Sequence, residues 1–206
     1  MSLYTASFTA GPLLTDETTA VVLFLLENNW SVDDFPIETA QHLKVNAQAS
    51  RKRKYREVRN RIDAVPREYW EFFAELTTRD EKNAFLYFVC MKYYPLIRDF
   101  HFEVILNKWR MLDTDIAPEN VAKFLIKASN RHTEIDEWTE STLKKIGQVV
   151  MLMLKEVGIV LKNKMRLIFL PDKFWLFFIQ QGEGWFLEAM FLSREQRDYL
   201  YKKAGL

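Results

Sequence analysis

Glycine, proline and cysteine are all scarce in this sequence of 206 residues, which has six glycines, six prolines and one cysteine. Few glycines and prolines argue against a β architecture with many turns and favour long helices. The single cysteine, Cys90, excludes an internal disulfide bond and fits a reducing compartment. Because Cys90 lies in the apolar stretch YFVCMKYY, we expect it to be an inert thiol in the core.

Long hydrophobic runs are also missing. The longest ones, AVVLFLL, VVMLML and FWLFFI, fall well short of the roughly 20 residues that a membrane-spanning helix needs. The first residues lack the basic region and apolar stretch of a secretory signal. Hydrophobic residues nevertheless make up 49% of the chain, which is enough for a substantial core. We therefore predict a folded, soluble, cytoplasmic protein that does not contact a membrane.

Catalytic and metal-binding motifs are missing as well. The chain has no HExxH or CxxC motif, no glycine-rich phosphate loop and no serine in a nucleophile-elbow context. The sequence DTD at residues 113–115 begins like a calcium loop but lacks the later glycine and glutamate of that loop, so we expect it to cap a helix. We therefore expect no catalytic residue, no metal, no cofactor and no small-molecule substrate.

Basic residues are concentrated in one stretch, ASRKRKYREVRNRID at residues 49–63. Between Arg51 and Arg61 there are five arginines and two lysines but one acid, Glu57. The whole chain has a formal charge of only +1, and the rest of it has 22 basic and 27 acidic residues. The positive charge is therefore local, and its placement is the informative feature.

On a helix over residues 48–64, most of these bases lie opposite an apolar stripe. Tyr55, Val58 and Ile62 have the i, i+3, i+7 spacing of a face that packs on a core. Asn60 and four of the bases point away from this stripe, and the other three bases lie at its flanks. The outward group is Lys52, Arg53, Arg56, Arg59 and Asn60, and the flanking group is Arg51, Lys54 and Arg61.

So many like charges on one helix indicate a partner. They repel one another within a Debye length of about 10 Å, and they lie near a helix N-terminus, where positive charge is disfavoured. A nucleic-acid backbone is the favoured partner, because it repeats negative charge and because arginine grips phosphate with two hydrogen bonds. The alternatives are an acidic protein or an acidic patch of this chain, and a solvated face that only aids solubility.

The pattern is helical almost throughout. The polar stretch MLDTDIAPEN predicts a boundary between an N-terminal subdomain, residues 1–112, and a C-terminal subdomain, residues 113–206. Residues 159–170 partly alternate between apolar and polar, which fits a two-stranded wing turning at Asn163-Lys164. Helices are predicted over about 15–27, 48–64, 66–76, 78–93, 96–110, 118–130 and 140–157, with a short one ending near His42 and two or three after Pro171 that break at residues 182–184.

A second segment resembles the basic helix in its order of features. Ser141 is followed by Lys144-Lys145 and then by an apolar stripe that includes Ile146 and Val150, after a short helix and a polar turn. That order suits a helix-turn-helix used twice, whose second helix presents its first turns to DNA. An ordinary capped core helix is the alternative. The candidate contacts here are Ser141, Thr142, Lys144, Lys145 and Gln148.

Five motifs occur in an order that resembles a known family: YTASFTAGPLL, SRKRKYREVRNRI, YYPLIRDF, STLKKIGQVVMLMLKEVGI and WFLEAMFLS. Together they are similar to the BrxA family of BREX phage-defence systems, which is sometimes labelled NusB-like. The resemblance implies an all-helical, non-enzymatic component that works with other BREX proteins, among them a methyltransferase and an ATPase. It also agrees with binding of double-stranded DNA through helix-turn-helix elements.

We therefore predict an all-α, two-lobed helical bundle with helix-turn-helix-like elements and one short β-hairpin, which binds double-stranded DNA with little base specificity. One rival function is an assembly adaptor whose basic helix docks on an acidic surface of another BREX protein. Another is an RNA-binding factor that resembles antitermination proteins. The candidate nucleic-acid contacts on the basic helix are Ser50, Arg51, Lys52, Arg53, Lys54, Arg56, Arg59, Asn60 and Arg61.

Overall fold

The computed structural model describes residues 3–31 and 48–206. The chain forms two compact units, Met1–Pro95 and Leu96–Leu206. The described residues of both units are mainly helical, and their one sheet is a two-stranded antiparallel hairpin in the second unit. The predicted all-α fold with one short hairpin is therefore confirmed. The subdomain boundary expected at 112–113 lies within the second unit and stays a prediction.

The described helices of the first unit lie close to their predicted ranges. Acidic residues occupy the first turn of the first helix, as the helix dipole favours. Pro66 immediately precedes the third helix, and Thr78 and Glu81 form a capping box at the start of the fourth. The elements are a 3₁₀ turn (Ser7–Ala10), α1 (Thr15–Glu27), α2 (Gln48–Ile62), α3 (Arg67–Glu75) and α4 (Arg79–Tyr93).

Helix α4 lies at the centre of this unit. Phe85 and Phe88 on α4 are fully buried, and so are Trp70 and Phe73 on α3. The ring centroids of Phe73 and Phe85 lie 5.2 Å apart, and those of Trp70 and Phe85 lie 5.5 Å apart in an edge-on arrangement. Cys90 is also buried within α4, as expected from its apolar surroundings.

A continuous helical run opens the second unit and agrees with the helix predicted over 96–110. It consists of α5 (Pro95–Phe100), a π-helical segment (His101–Leu106) and α6 (Asn107–Arg110). His101 in the π-helical segment is fully buried, and its Nε2 lies 2.7 Å from the carbonyl oxygen of Ala189. Because a carbonyl can only accept, Nε2 carries the proton.

Two helices and a hairpin follow: α7 (Pro118–Ser129), a 3₁₀ turn (Thr133–Glu137), α8 (Glu140–Glu156), β1 (Val160–Leu161) and β2 (Lys164–Met165). The predicted wing therefore exists. Lys162 and Asn163 form its turn with φ of 48° and 61°, as in a type I′ turn, so the turn lies one residue earlier than expected. The backbone of residues 114–116 lies beside β2, because Met165 N donates to Thr114 O at 2.7 Å and Ile116 N donates to Asn163 O at 2.9 Å.

Three short helices end the chain: α9 (Asp172–Gln180), α10 (Trp185–Ala189) and α11 (Arg194–Lys203). Phe178 and Phe186 join the first two, with ring centroids 4.7 Å apart. The break between α9 and α10 falls at residues 182–184, as predicted. The short helix expected to end near His42 lies outside the described residues. None of the helices within 3–31 and 48–206 has the length and apolar character that crossing a bilayer requires.

We expect His101 to make the second unit less stable in acid. Burial lowers the pKa of His101 from its ordinary 6.5 to about 4, so the unfolded chain binds a proton more readily below pH 6.5. Its contribution to stability is thus present above pH 6.5 and is lost as the pH falls toward 4, by about 2 kcal/mol between pH 7 and pH 4.5. Urea denaturation at the two pH values, followed by circular dichroism, measures the loss.

His101→Gln is the comparison, since glutamine keeps a hydrogen-bond donor and does not titrate. The variant should lose about 2 kcal/mol less stability than the wild type between the two pH values. An identical pH dependence in both proteins would contradict the assignment.

Candidate nucleic-acid interface

The apolar stripe of α2 packs into the first unit as the helical periodicity predicted. Tyr55, Val58 and Ile62 are buried, and Val65 just beyond the helix is buried as well. Helix α2 is thereby held by its inner face, and the side chains of Lys52, Arg53, Arg56 and Arg59 on its outer face are exposed. The direction in which each base points follows from this anchoring.

Four bases form the exposed face of α2: Lys52, Arg53, Arg56 and Arg59. Lys52 and Arg56 have no ion-pair or hydrogen-bond partner in the part of the chain that the structure describes. Arg53 donates to Thr9 Oγ1 at 3.2 Å and stays exposed. We call these four side chains the basic ridge. Ser50 is also exposed beside the ridge, and Asn60 is half-buried.

Two of the three flanking bases are partly withdrawn from the surface. Lys54 Nζ lies 2.6 Å from Glu17 Oε1 on α1, and Arg51 is half-buried. An acid of this chain therefore neutralises one base of the stretch. This pairing agrees with the alternative in which the basic helix meets an acidic patch of the same chain. That alternative accounts for Lys54 and leaves the basic ridge exposed.

Arg61 corrects a prediction, because its side chain is completely buried and is not a surface contact. Its Nη1 donates to the carbonyl oxygens of Pro12 and Leu13 at 2.6 and 3.0 Å, and its Nη2 donates to that of Gly11 at 3.0 Å. Its Nε donates to the hydroxyl of Tyr94 at 3.1 Å. The guanidinium thus fastens the segment before α1 to α2.

Glu57 completes this buried group. Its Oε1 lies 3.6 Å from Arg61 Nη2, and the hydroxyl of Tyr94 donates to it. Burial raises the pKa of Glu57, while Arg61 and a hydrogen bond from Ser7 oppose that rise. Desolvation therefore outweighs the attraction of the neighbouring guanidinium. The sequence did contain a signal for this pair, since Glu57 precedes Arg61 by four residues, the spacing of an ion pair on one helix.

The second candidate surface lies on α8. Ser141, Lys144, Lys145 and Gln148 are exposed and Thr142 is half-buried. The helix is capped by Thr139, whose Oγ1 accepts from the backbone N–H of Thr142 at 3.2 Å, so the cap precedes the serine expected from the sequence. The other face of α8 is core, with Ile146, Val150 and Met153 buried as predicted.

Acidic residues surround the start of α8. Glu140 is its first residue, and Asp136 and Glu137 in the preceding 3₁₀ turn are exposed. Two lysines therefore stand against three carboxylates here, whereas the basic ridge on α2 contains no acid. The exposed charge is therefore positive along the basic ridge and net negative at the start of α8.

Metal binding has no support in the described residues, where no group of three or more histidine, cysteine, aspartate or glutamate side chains could hold an ion. Most of the aromatic side chains that could stack on bases are packed in the two cores, such as Trp70 and Trp175. The charged side chains of α2 are consequently the clearest chemical feature of the surface.

These observations define the class: a small all-α protein with an exposed basic ridge and one short β-hairpin. The model of the BrxA family matches residues 2–180 of the chain. The chain therefore belongs to the BrxA family.

Two relatives agree with this assignment. "BREX protein BrxA" of Paramagnetospirillum magneticum (strain ATCC 700264 / AMB-1) is 26% identical over 165 residues, which is 78% of this chain and 81% of the relative. "BREX protein BrxA" of Escherichia coli O9:H4 (strain HS) is 23% identical over 154 residues, 73% of this chain and 70% of the relative.

The solved structure is a crystal structure of an uncharacterized protein from Magnetospirillum magneticum. It has a TM-score of 0.76 and 19% identity, and the similarity covers 92% of this chain and 98% of that one. This similarity supports the fold.

Replacing Arg61 by methionine should destabilise the first unit by about 3–5 kcal/mol, because three carbonyl oxygens lose their donors and Glu57 loses its buried counter-charge. Chemical denaturation followed by circular dichroism measures the change. Arg56→Met on the same helix removes an exposed guanidinium and should change stability by no more than about 0.5 kcal/mol. Arg61→Lys, which keeps the charge without the planar fork, should fall between them. Equal stabilities of the Arg61→Met and Arg56→Met variants would refute the role of Arg61.

Proposed function

We propose that this protein is a non-enzymatic component of a BREX bacteriophage-exclusion system that binds double-stranded DNA through the basic ridge on α2. The observation that carries the proposal is the exposure of Lys52, Arg53, Arg56 and Arg59 on a helix whose opposite face is buried. Family membership and the names of the two relatives support the BREX assignment. The site of action would be the cytoplasm, where DNA and the other BREX proteins are present.

The spacing of the ridge suits a phosphate backbone. Lys52, Arg56 and Arg59 follow an i, i+4, i+7 pattern, so they share one side of the helix over about 10 Å of its axis. DNA carries one charge per about 3.4 Å of each strand, so a ridge of this length faces two to three phosphates. Contacts to phosphate position a protein without reading sequence, which is why we propose low base specificity.

Anchoring should add to affinity. The ridge belongs to a helix that is tethered through Arg61 and packed through Tyr55 and Val58, so the backbone of α2 is ordered before DNA arrives. Binding then requires only the ordering of the long side chains. A free basic peptide of the same sequence would have to form its helix during binding.

We propose α8 as a second, weaker contact. Helix α7, the 3₁₀ turn and α8 have the order of a helix-turn-helix, and the hairpin β1–β2 follows them as a wing would. Ser141, Thr142, Lys144, Lys145 and Gln148 occupy the first turns of α8, the part that a recognition helix presents to bases. Because carboxylates surround this end of α8, we expect it to contribute less than the ridge.

Reversing three charges of the ridge should abolish retention of DNA in a gel shift at moderate salt. The variant is Arg53→Glu, Arg56→Glu and Arg59→Glu, whose side chains are exposed, so far-ultraviolet circular dichroism should not change. In the variant, three carboxylates repel the phosphates that the three guanidinium groups would contact. The measurement is a gel shift of a random-sequence duplex, with the circular dichroism spectrum beside it.

The matched control changes the net charge equally at sites away from the ridge: Lys123→Glu, Lys155→Glu and Lys202→Glu, all exposed and all helical. It should keep most of the affinity. If both triple variants bind DNA alike, the ridge is not the interface. Pull-down of a BREX protein that survives nuclease treatment would favour the adaptor function, and tighter binding of single-stranded RNA than of duplex DNA would favour the RNA-binding function.

The affinity for duplex DNA should also fall as the salt concentration rises, with a slope set by the number of phosphates that the ridge contacts. Two to three phosphate contacts give a slope of about −1.8 to −2.7 for log K against log salt concentration, and the triple reversal should bring that slope close to zero. Fluorescence anisotropy with a labelled duplex over a range of salt concentrations measures it. A slope near zero in the wild type would exclude phosphate contacts as the source of affinity.

A further inference from the structure

An open groove runs between α7 and α8 within the second unit. Its volume is about 790 Å³, and residues from Pro118 to Ser129 line it along α7. At a rise of 1.5 Å per residue, the groove follows α7 for about 16 Å, which is the length of three helical turns. A groove of this length between two packed helices can accommodate a third helix that lies along it.

The floor of the groove is apolar and partly uncovered. Leu125, Ile135 and Leu143 line it, and Trp138 lies at one end of the same surface. Ile126 also lines the groove, and 73% of its surface is exposed to solvent. Contact of such a large aliphatic side chain with water is unfavourable. A partner that covers Ile126 would remove this apolar surface from water and gain free energy of binding.

Gly147 marks a place for a partner's side chain. It lies in the middle of α8 and lines the groove, and a Cβ atom added there would meet no atom within 4 Å. A glycine inside a helix is less favourable than alanine by roughly 0.5–1 kcal/mol. Neither a positive φ nor a crowded neighbour requires glycine at this position in the described part of the chain. The space above Gly147 is suited to a bulky apolar side chain of a bound helix.

The rim of the groove is negatively charged. Glu119, Asp136 and Glu140 are exposed there, and Lys144 is the one basic side chain among the lining residues that the structure describes. Within the described residues none of the three carboxylates has an ion-pair or hydrogen-bond partner, whereas Glu103 and Glu188 of the same unit are both paired with arginines. Unpaired carboxylates around an apolar floor complement a helix with lysine or arginine beside an apolar stripe.

We propose that this groove is the docking site for a basic amphipathic helix of a partner protein. The helix places an apolar side chain over Gly147, covers Ile126 and pairs its basic residues with Glu119, Asp136 and Glu140. Helix α2 of a second copy is not the occupant, because Tyr55, Val58 and Ile62, its apolar stripe, are buried in its own unit. The proposal goes beyond DNA binding and does not depend on it.

Two labelled peptides test the proposal by fluorescence anisotropy with the full chain. One has leucines at i, i+3, i+4 and i+7 spacing with lysines elsewhere, and the other has glutamates in place of the lysines. The wild type should bind the lysine peptide about tenfold more tightly than the glutamate peptide, since three exposed ion pairs differ between them. Gly147→Leu should abolish this binding by filling the groove, and Ile126→Gln should weaken it.

The charge contribution is tested with a matched pair of triple variants. Glu119→Gln, Asp136→Asn and Glu140→Gln should remove the preference for the lysine peptide. Glu68→Gln, Asp80→Asn and Glu195→Gln neutralise three exposed carboxylates away from the groove and should keep it. Circular dichroism confirms that each variant is folded.

Three results would overturn the proposal: no binding of the lysine peptide to the wild type, equal binding to Gly147→Leu, or equal effects of the two triple variants. If light scattering shows that the wild type is a dimer and that the Gly147→Leu variant is a monomer, the occupant of the groove is instead a second copy of this chain. The retention of duplex DNA by Gly147→Leu separates this test from the proposed function, because the ridge on α2 is intact in that variant.

Discussion

The guanidinium of Arg61 holds the first unit in its observed form. It lies without solvent contact among the carbonyl oxygens of Gly11, Pro12 and Leu13, the hydroxyl of Tyr94 and the carboxylate of Glu57. Each of these groups would be costly to bury alone, and together they satisfy one another. This single cation joins the N-terminal segment, α2 and the end of α4, so the orientation of α2 follows from it. The exposed bases of α2 depend on that orientation for their common direction.

Helix α2 shows how basic residues take different roles at different angles around a helix. Arg56 and Arg59 face solvent, Lys54 at the flank meets Glu17, and Arg61 enters the interior. The helical period of 3.6 residues separates these positions although they are close in sequence. A count of charges in the stretch therefore overstates the charge that a partner meets.

The second unit differs in its surface chemistry. The groove between α7 and α8 has an apolar floor and a rim of carboxylates without ion-pair partners among the described residues, and Lys144 of α8 lines it as well. We infer that the two units bind different partners: the basic ridge of the first unit binds a polyanion, and the groove of the second unit binds a cationic helix. The opposite signs of the two surfaces disfavour exchange of their partners.

Local order along the chain determined most of the helices and the hairpin. Apolar spacing and polar breaks such as residues 182–184 predicted where elements begin and end, because periodicity and turn residues act over a few positions. The tertiary structure alone decided the place of Arg61 and the shape of the α7–α8 groove. On an isolated helix Arg61 lies at the flank, and the carbonyl oxygens that draw it inward belong to residues 48 to 50 positions away in sequence. Burial of a charge depends on such distant groups, and no pattern within one helix contains them.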